Sequence, residues 1–272
     1  MCRQWTLLLL AHAVVAAAEP YPCLIEPAEV VELRSPVDGV IETVTVRRGD
    51  VLEKGQTLVV LQSDVQRAAA ELAGYRTQMD GAIAAARTRI DYAKTKLERV
   101  KDLEKKQFVA LQARDDILAE LRLAEAELDA ALEARELARI EHRRAQAELE
   151  LRTIKSPFDG VVIDRVQNPG DLAESGSGRQ AVLKVARTGT LNVDVVLPAA
   201  VFGRVQEGLS AEVRPAGSER TYTAQVDTVD RVIDAASSTF VARLRLHNPD
   251  LSIPVGLRCT ADFGGVLMPA AE

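Results

Sequence analysis

The sequence predicts an α+β chain of several modules: a small β-barrel, a β-sandwich split into two half-motifs, and a long antiparallel α-helical coiled-coil hairpin between the halves. Three observations carry this. A short motif recurs 121 residues downstream, a heptad pattern fills the interval, and period-two alternation follows the second copy. Composition agrees: of 272 residues 47% are hydrophobic, 27% charged and only 4% aromatic. Ala, Leu, Glu and Arg concentrate between residues 64 and 152, the bias of a long helix or coiled coil.

Residues 1–18 hold one cation, Arg3, then an apolar run from Trp5 closing in Ala16-Ala17-Ala18, which predicts a signal peptide cleaved before Glu19. The run is short for a membrane span, and an uncleaved anchor or a buried helix is the alternative reading. Residues 19–33 are expected to join the barrel. Export leaves Cys23 and Cys259 in an oxidising compartment and makes them candidates for a structural disulfide, two separate buried thiols being the alternative. The formal charge of -6, with both signs finely interleaved, offers no basic field for nucleic acid.

The two half-motifs are placed at 34–63 and 153–186. Ser35-Pro36-Val37-Asp38-Gly39-Val40-Ile41 recurs as Ser156-Pro157-Phe158-Asp159-Gly160-Val161-Val162, and the same offset superposes Gly49-Asp50 on Gly170-Asp171, Glu53 on Glu174 and Gly55 on Gly176. Each copy reads as short strands divided by tight turns: Pro36, Asp38 and Gly39 with Gly49 in the first, Pro157, Asp159 and Gly160 with Gly170 in the second. Neither copy is large enough to enclose a core, so residues 34 to 61 and 156 to 186 are expected to pair as one sandwich.

Residues 64–152 supply the means of bringing the halves together. Val65, Ala69, Leu72, Arg76, Met79, Ile83, Ala86, Ile90, Ala93, Leu97 and Val100 alternate spacings of four and three, and so do Ile117, Leu121, Ala124, Leu128, Ala131, Arg135, Ala138, His142, Ala145 and Leu149. The break near Gln107 to Leu111 lies midway, predicting helices of nearly equal length folded back on each other. At 1.5 Å per residue such arms reach about 60 Å.

From 187 to 264 the pattern turns to strands. Leu191, Val193, Val195 and Leu197 face one way until Pro198, and further strands are expected at Ala211 to Arg214, Tyr222 to Val229, Thr239 to Leu246 and Leu257 to Phe263, as in a small antiparallel barrel. Residues 265–272 read as a tail.

A split Ser-Pro-x-Asp-Gly-Val and Gly-Asp half-motif, interrupted by a helical hairpin and followed by a small barrel, resembles the membrane fusion proteins, the HlyD-like periplasmic adaptors of efflux pumps. The resemblance implies that the halves form a lipoyl/biotinyl-like sandwich. It implies a periplasmic protein, peripheral to the membranes, that links an inner-membrane transporter to a TolC-like outer-membrane channel and self-associates in a hexameric ring. The resistance-nodulation-division transporter type is favoured, with the ABC type open. The resemblance places channel contact at the hairpin tip, on Arg99, Leu103, Phe108, Val109, Ala110 and Asp115. Ala110 stands where the family has Ser, and Gln107 where it usually has Gly. Residues 19 to 33 and 264 to 272 are short for the membrane-proximal domain of many relatives, so the barrel itself is expected to meet the transporter.

No nucleophile elbow, phosphate loop or His-bearing metal motif is present in the sequence, which predicts no enzyme and no cofactor. His142 and His247 are far apart, and Met79 and Met268 do not make a soft-metal cluster. A lipoyl or biotinyl carrier would need a Lys at the hairpin joining the halves. There the coil intervenes, and its Lys94 and Lys96 lie in a charged helical stretch. A periplasmic scaffold with no channel partner is the remaining alternative.

Overall fold

The computed structural model describes residues 20–106, 108, 110–176 and 179–264, so the predicted leader and tail lie outside the described residues. In chain order the elements are β1 (Tyr21–Leu33), β2 (Gly39–Val44), β3 (Val51–Leu52), β4 (Thr57–Leu61), α1 (Asp64–Thr77), α2 (Gly81–Lys105), α3 (Leu111–Glu150), β5 (Thr153–Lys155), β6 (Gly160–Arg165), β7 (Leu172–Ala173), β8 (Leu183–Pro198), β9 (Ser210–Pro215), β10 (Tyr222–Val229), β11 (Thr239–His247) and β12 (Arg258–Asp262).

Six strands close a barrel in the order β1-β12-β9-β10-β11-β8, with β8 returning to β1. The alternation that predicts β8 is the alternation of burial: Leu191, Val193, Val195 and Leu197 are fully buried and meet Ile25, Phe240 and Leu244 in one core. Cys23 and Cys259 lie opposite each other in β1 and β12 with Cα atoms 4.8 Å apart and their sulfurs bonded. That spacing is ordinary for a bridged pair. β1 and β8 do not stop at the barrel. Beyond the irregularity between Pro27 and Glu29 they continue side by side to Leu33 and Leu183, so the same two strands enter the sandwich.

The sandwich sets β5-β4-β2-β7 against β3, β6 and the lower ends of β8 and β1. Its core takes Ile41, Leu58 and Leu61 from the first half and Phe158, Val162 and Val185 from the second. The halves are clasped by reciprocal bonds that repeat the sequence repeat. The Gly49 N–H donates to the Val162 carbonyl and the Gly170 N–H to the Ile41 carbonyl, both at 2.9 Å. Ile41 N–H in turn donates to Asp171 O, and Val162 N–H to Asp50 O.

Between the halves α1 and α2 run up and α3 runs down. Ion pairs measure the register: Lys96 with Glu120 at 2.7 Å, Arg89 with Glu127, Asp80 with Arg135 at 3.1 Å and Arg76 with Glu141 at 3.7 Å, rising on one arm as they fall on the other. The upper seam is where the heptads put it, with Ile83, Ala86, Ile90, Ala93 and Leu97 buried. The lower seam is not. Ala70 and Ala73 are buried, whereas Val65, Leu72 and Met79 are exposed. The ascending arm breaks at Gln78–Asp80, and the seam phase slips by one residue across the break, so extrapolating downward from Ile83 selects the wrong face. Arg76 accordingly faces solvent with Glu141. On α3 the two polar seam positions have local partners: Arg135 meets Asp80 at the break, and His142 packs over Gly74, where a Cβ would come within 3.1 Å of its Nε2.

Candidate functional site

The tip is built by the last turn of α2 and the first of α3. The Lys106 and Phe108 N–H groups both donate to the Leu103 carbonyl, at 3.1 and 3.0 Å, which ends α2. Ala110 is extended and its carbonyl accepts from Ala113 N–H at 3.1 Å, starting α3 without a side-chain cap. Leu103, Phe108 and Ala110 are therefore brought together at the bend. Phe108 is 75% exposed, Leu103 41% and Leu111 68%. Leu111, the first residue of α3, belongs to neither heptad series, so the sequence pattern does not mark it. Arg99 and Asp115 flank the bend on opposite arms, both exposed and with no ion pair among the described residues. Val109, and Gln107 beside it, lie outside the described residues. Arg114 meets Glu104 at 3.6 Å just below and ties the arms together.

The turn residues of the repeat sit at the opposite end of the hairpin, where the halves cross. Asp38 Oδ1 accepts from the N–H and the hydroxyl of Ser175, at 2.6 and 2.8 Å, and Asp159 Oδ1 accepts from Lys54 N–H at 2.7 Å, the equivalent contact under the repeat. The backbone hydrogen bond from Ser175, then that from its hydroxyl, holds the Asp38 carboxyl below the usual carboxylate range. Gly49 and Gly170 take φ of 92° and 94°, a region that side chains rarely adopt. Gly39 and Gly160 answer to space instead. A Cβ on Gly160 would lie 2.0 Å from the Ala186 carbonyl oxygen, and one on Gly39 would lie 2.7 Å from Arg152 Nη1. Pro36 and Pro157 follow Ser35 and Ser156, whose hydroxyls each donate to the carbonyl two residues on. These residues position the base of the hairpin and bring no reactive groups into one cavity.

Among the described residues no group of three or more His, Cys, Asp or Glu is arranged to hold a metal ion, and no helix is long and apolar enough to cross a membrane.

A family model described as the CzcB-like barrel-sandwich hybrid domain matches residues 29–186, more than half the chain. The cobalt-zinc-cadmium resistance protein CzcB of Cupriavidus metallidurans is 26% identical over 227 residues, covering 84% of this chain and 41% of that protein. The cation efflux system protein CzcB of an Alcaligenes species is 25% identical over the same shares. The chain thus spans about two fifths of the length of these relatives. Among solved structures, MacA from Actinobacillus actinomycetemcomitans superposes with a TM-score of 0.71 at 22% identity, over 89% of this chain and 76% of that one. A membrane fusion protein from Streptococcus pneumoniae R6 superposes at 0.59 and 17%, over 90% and 98%. At such identities the structures show a shared fold.

Proposed function

The chain belongs to the CzcB-like barrel-sandwich hybrid family, whose relatives are membrane fusion adaptors of efflux systems, and from that premise we propose that it is a non-enzymatic periplasmic adaptor joining an inner-membrane transporter to an outer-membrane channel. The observation that carries the reading is the tip. Phe108, 75% exposed, stands at the end of a lever of about 60 Å, and an apolar side chain held that far from any core is explained by a partner. Arg99, Leu103, Ala110 and Asp115, with Val109 by sequence, complete the contact with a TolC-like channel. The barrel end faces the transporter, resistance-nodulation-division type first and ABC type second, and copies assemble as a hexameric ring. Three helices occupy the place where a carrier domain would present its modified lysine, which favours the adaptor. The names of the two curated relatives make divalent heavy-metal cations the cargo to test first.

Phe108→Asp puts a charge where the contact must be desolvated and touches no seam residue. In a deletion strain, the variant is expected to abolish heavy-metal tolerance and in-vivo crosslinking to an outer-membrane channel, with protein level and helical content unchanged. Full tolerance and unchanged crosslinking at normal abundance would remove the tip from the mechanism.

A further inference from the structure

The flank of the hairpin carries a surface that tip docking leaves unused. Leu72 and Met79 lie one heptad apart on the lower ascending arm, Ala85 and Tyr92 one heptad apart on α2, and Leu123, Ala130 and Leu137 one heptad apart on α3. All are exposed: Leu72 54%, Met79 60%, Tyr92 64%, Leu123 63% and Leu137 57% for the large ones. On α2 and α3 each precedes a seam residue by one position, about 100° around the helix. The two arms present these residues on the same side. Tyr92 and Leu123 line one shallow groove together with the paired Arg89–Glu127 and with Glu120, which holds Lys96. Lower down, the pair Arg76–Glu141 lies close in sequence to Met79 and Leu137. The result is an apolar stripe set among ion pairs made within the hairpin, ending toward the tip at Arg99, one heptad beyond Tyr92. The corresponding position on the other flank of α3, also repeating every heptad, is Arg122, Asp129, Glu136 and Arg143, all exposed.

We propose that this stripe is the contact between two copies of the chain, apolar flank against apolar flank about a two-fold axis. The stripe exposes on the order of 600 Å² of apolar side chain, at the upper end for the largest apolar patch of a monomer, and the ion pairs along it extend the contact toward the roughly 800 Å² that each partner brings to a stable interface. An isologous contact needs a self-complementary surface, which an apolar, charge-neutral stripe is. Its middle is lined by Ala85 and Ala130, so two hairpins approach closest there, with bulky residues interlocking on either side. A ring of equivalent neighbours would instead set the stripe against Arg122, Asp129 and Glu136 and strip those charges of water. The pair is therefore the form of the free chain, and joining a ring on a transporter requires it to open. The pairing depends on the hairpin alone and stands whether or not the tip meets a channel.

Ala130 lies at the axis and Asp129 on the charged flank, so single cysteines at the two positions separate the possibilities. In the purified full chain, Ala130→Cys is expected to form a covalent dimer under mild oxidation, and Asp129→Cys is not. Leu123→Glu with Leu137→Glu should raise the dissociation constant of the dimer by about 100-fold or more, read by sedimentation, with helical content unchanged because both side chains already face water. Absence of the Ala130→Cys crosslink, equal crosslinking at Asp129→Cys, or unaltered association of the double glutamate variant would each overturn the pairing. Those outcomes leave heavy-metal tolerance, the measure of tip docking, untouched.

Discussion

At the scale of single residues, the repeat is symmetric in sequence and unequal in space. Gly39 and Gly160 occupy equivalent places, yet the nearest atom to an added Cβ is the end of the Arg152 side chain for one and the Ala186 backbone carbonyl for the other. A guanidinium can swing away; the carbonyl of Ala186, which pairs with Val161 of β6, cannot move without separating β6 from β8. Gly160→Ala is expected to destabilise the chain by about 2 to 4 kcal/mol in urea titration and Gly39→Ala by markedly less. Gly81, which opens α2 with nothing within 4 Å of an added Cβ, is the control, where Ala should be neutral or stabilising by up to about 1 kcal/mol. Equal losses at Gly39 and Gly160 would contradict the asymmetry.

At the scale of elements, the ascending arm departs most from its sequence pattern. A continuous heptad through Val65, Ala69 and Leu72 is legible, and it is out of phase by one residue with the buried Ala70 and Ala73. The signal for the break was present as Asp80-Gly81, a turn-prone pair, but alanine-rich sequence supports more than one phase at nearly equal cost because alanine fits inside a seam or outside it. What decides the phase is the partner: His142 needs the space over Gly74, and Arg135 needs Asp80. Adjacent alanines therefore give opposite results. Ala69→Glu should change the melting free energy by less than about 0.5 kcal/mol, whereas Ala70→Glu, which buries a carboxylate against α3, should cost about 2 kcal/mol or more. Thermal unfolding followed by helical circular dichroism compares them, and the reverse order would restore the unbroken heptad.

At the scale of the whole molecule, β1 and β8 join the modules, because each runs without a break from barrel to sandwich, and the hairpin stands on that shared base. Cys23 and Cys259 add a covalent link across the barrel between elements 236 residues apart in sequence. Closing so long a loop constrains the unfolded chain strongly, so reduction is expected to cost between about 2 and 5 kcal/mol. Unreduced protein should therefore show no labelling at these two thiols, and the Cys23→Ser, Cys259→Ser chain should unfold at lower temperature while keeping its hairpin helicity below the transition. Two freely labelled thiols in unreduced native protein would refute the link.

The sequence by itself determined the modular order and the clasped halves. Both follow from local and repeated patterns: turn residues at fixed offsets, alternation in β8, and heptads in α2 and α3. It also marked Phe108 as a bend residue, since a bend midway in a coil must fall where the heptads stop, whereas Leu103 was marked by the family resemblance alone. Only the tertiary structure decided which glycine is sterically indispensable, where the ascending arm slips, that β1 and β8 belong to two modules at once, and that one flank of the hairpin carries an apolar stripe among its ion pairs. Each of these depends on what lies opposite a residue, and a face becomes visible only when the other arm has been laid against it.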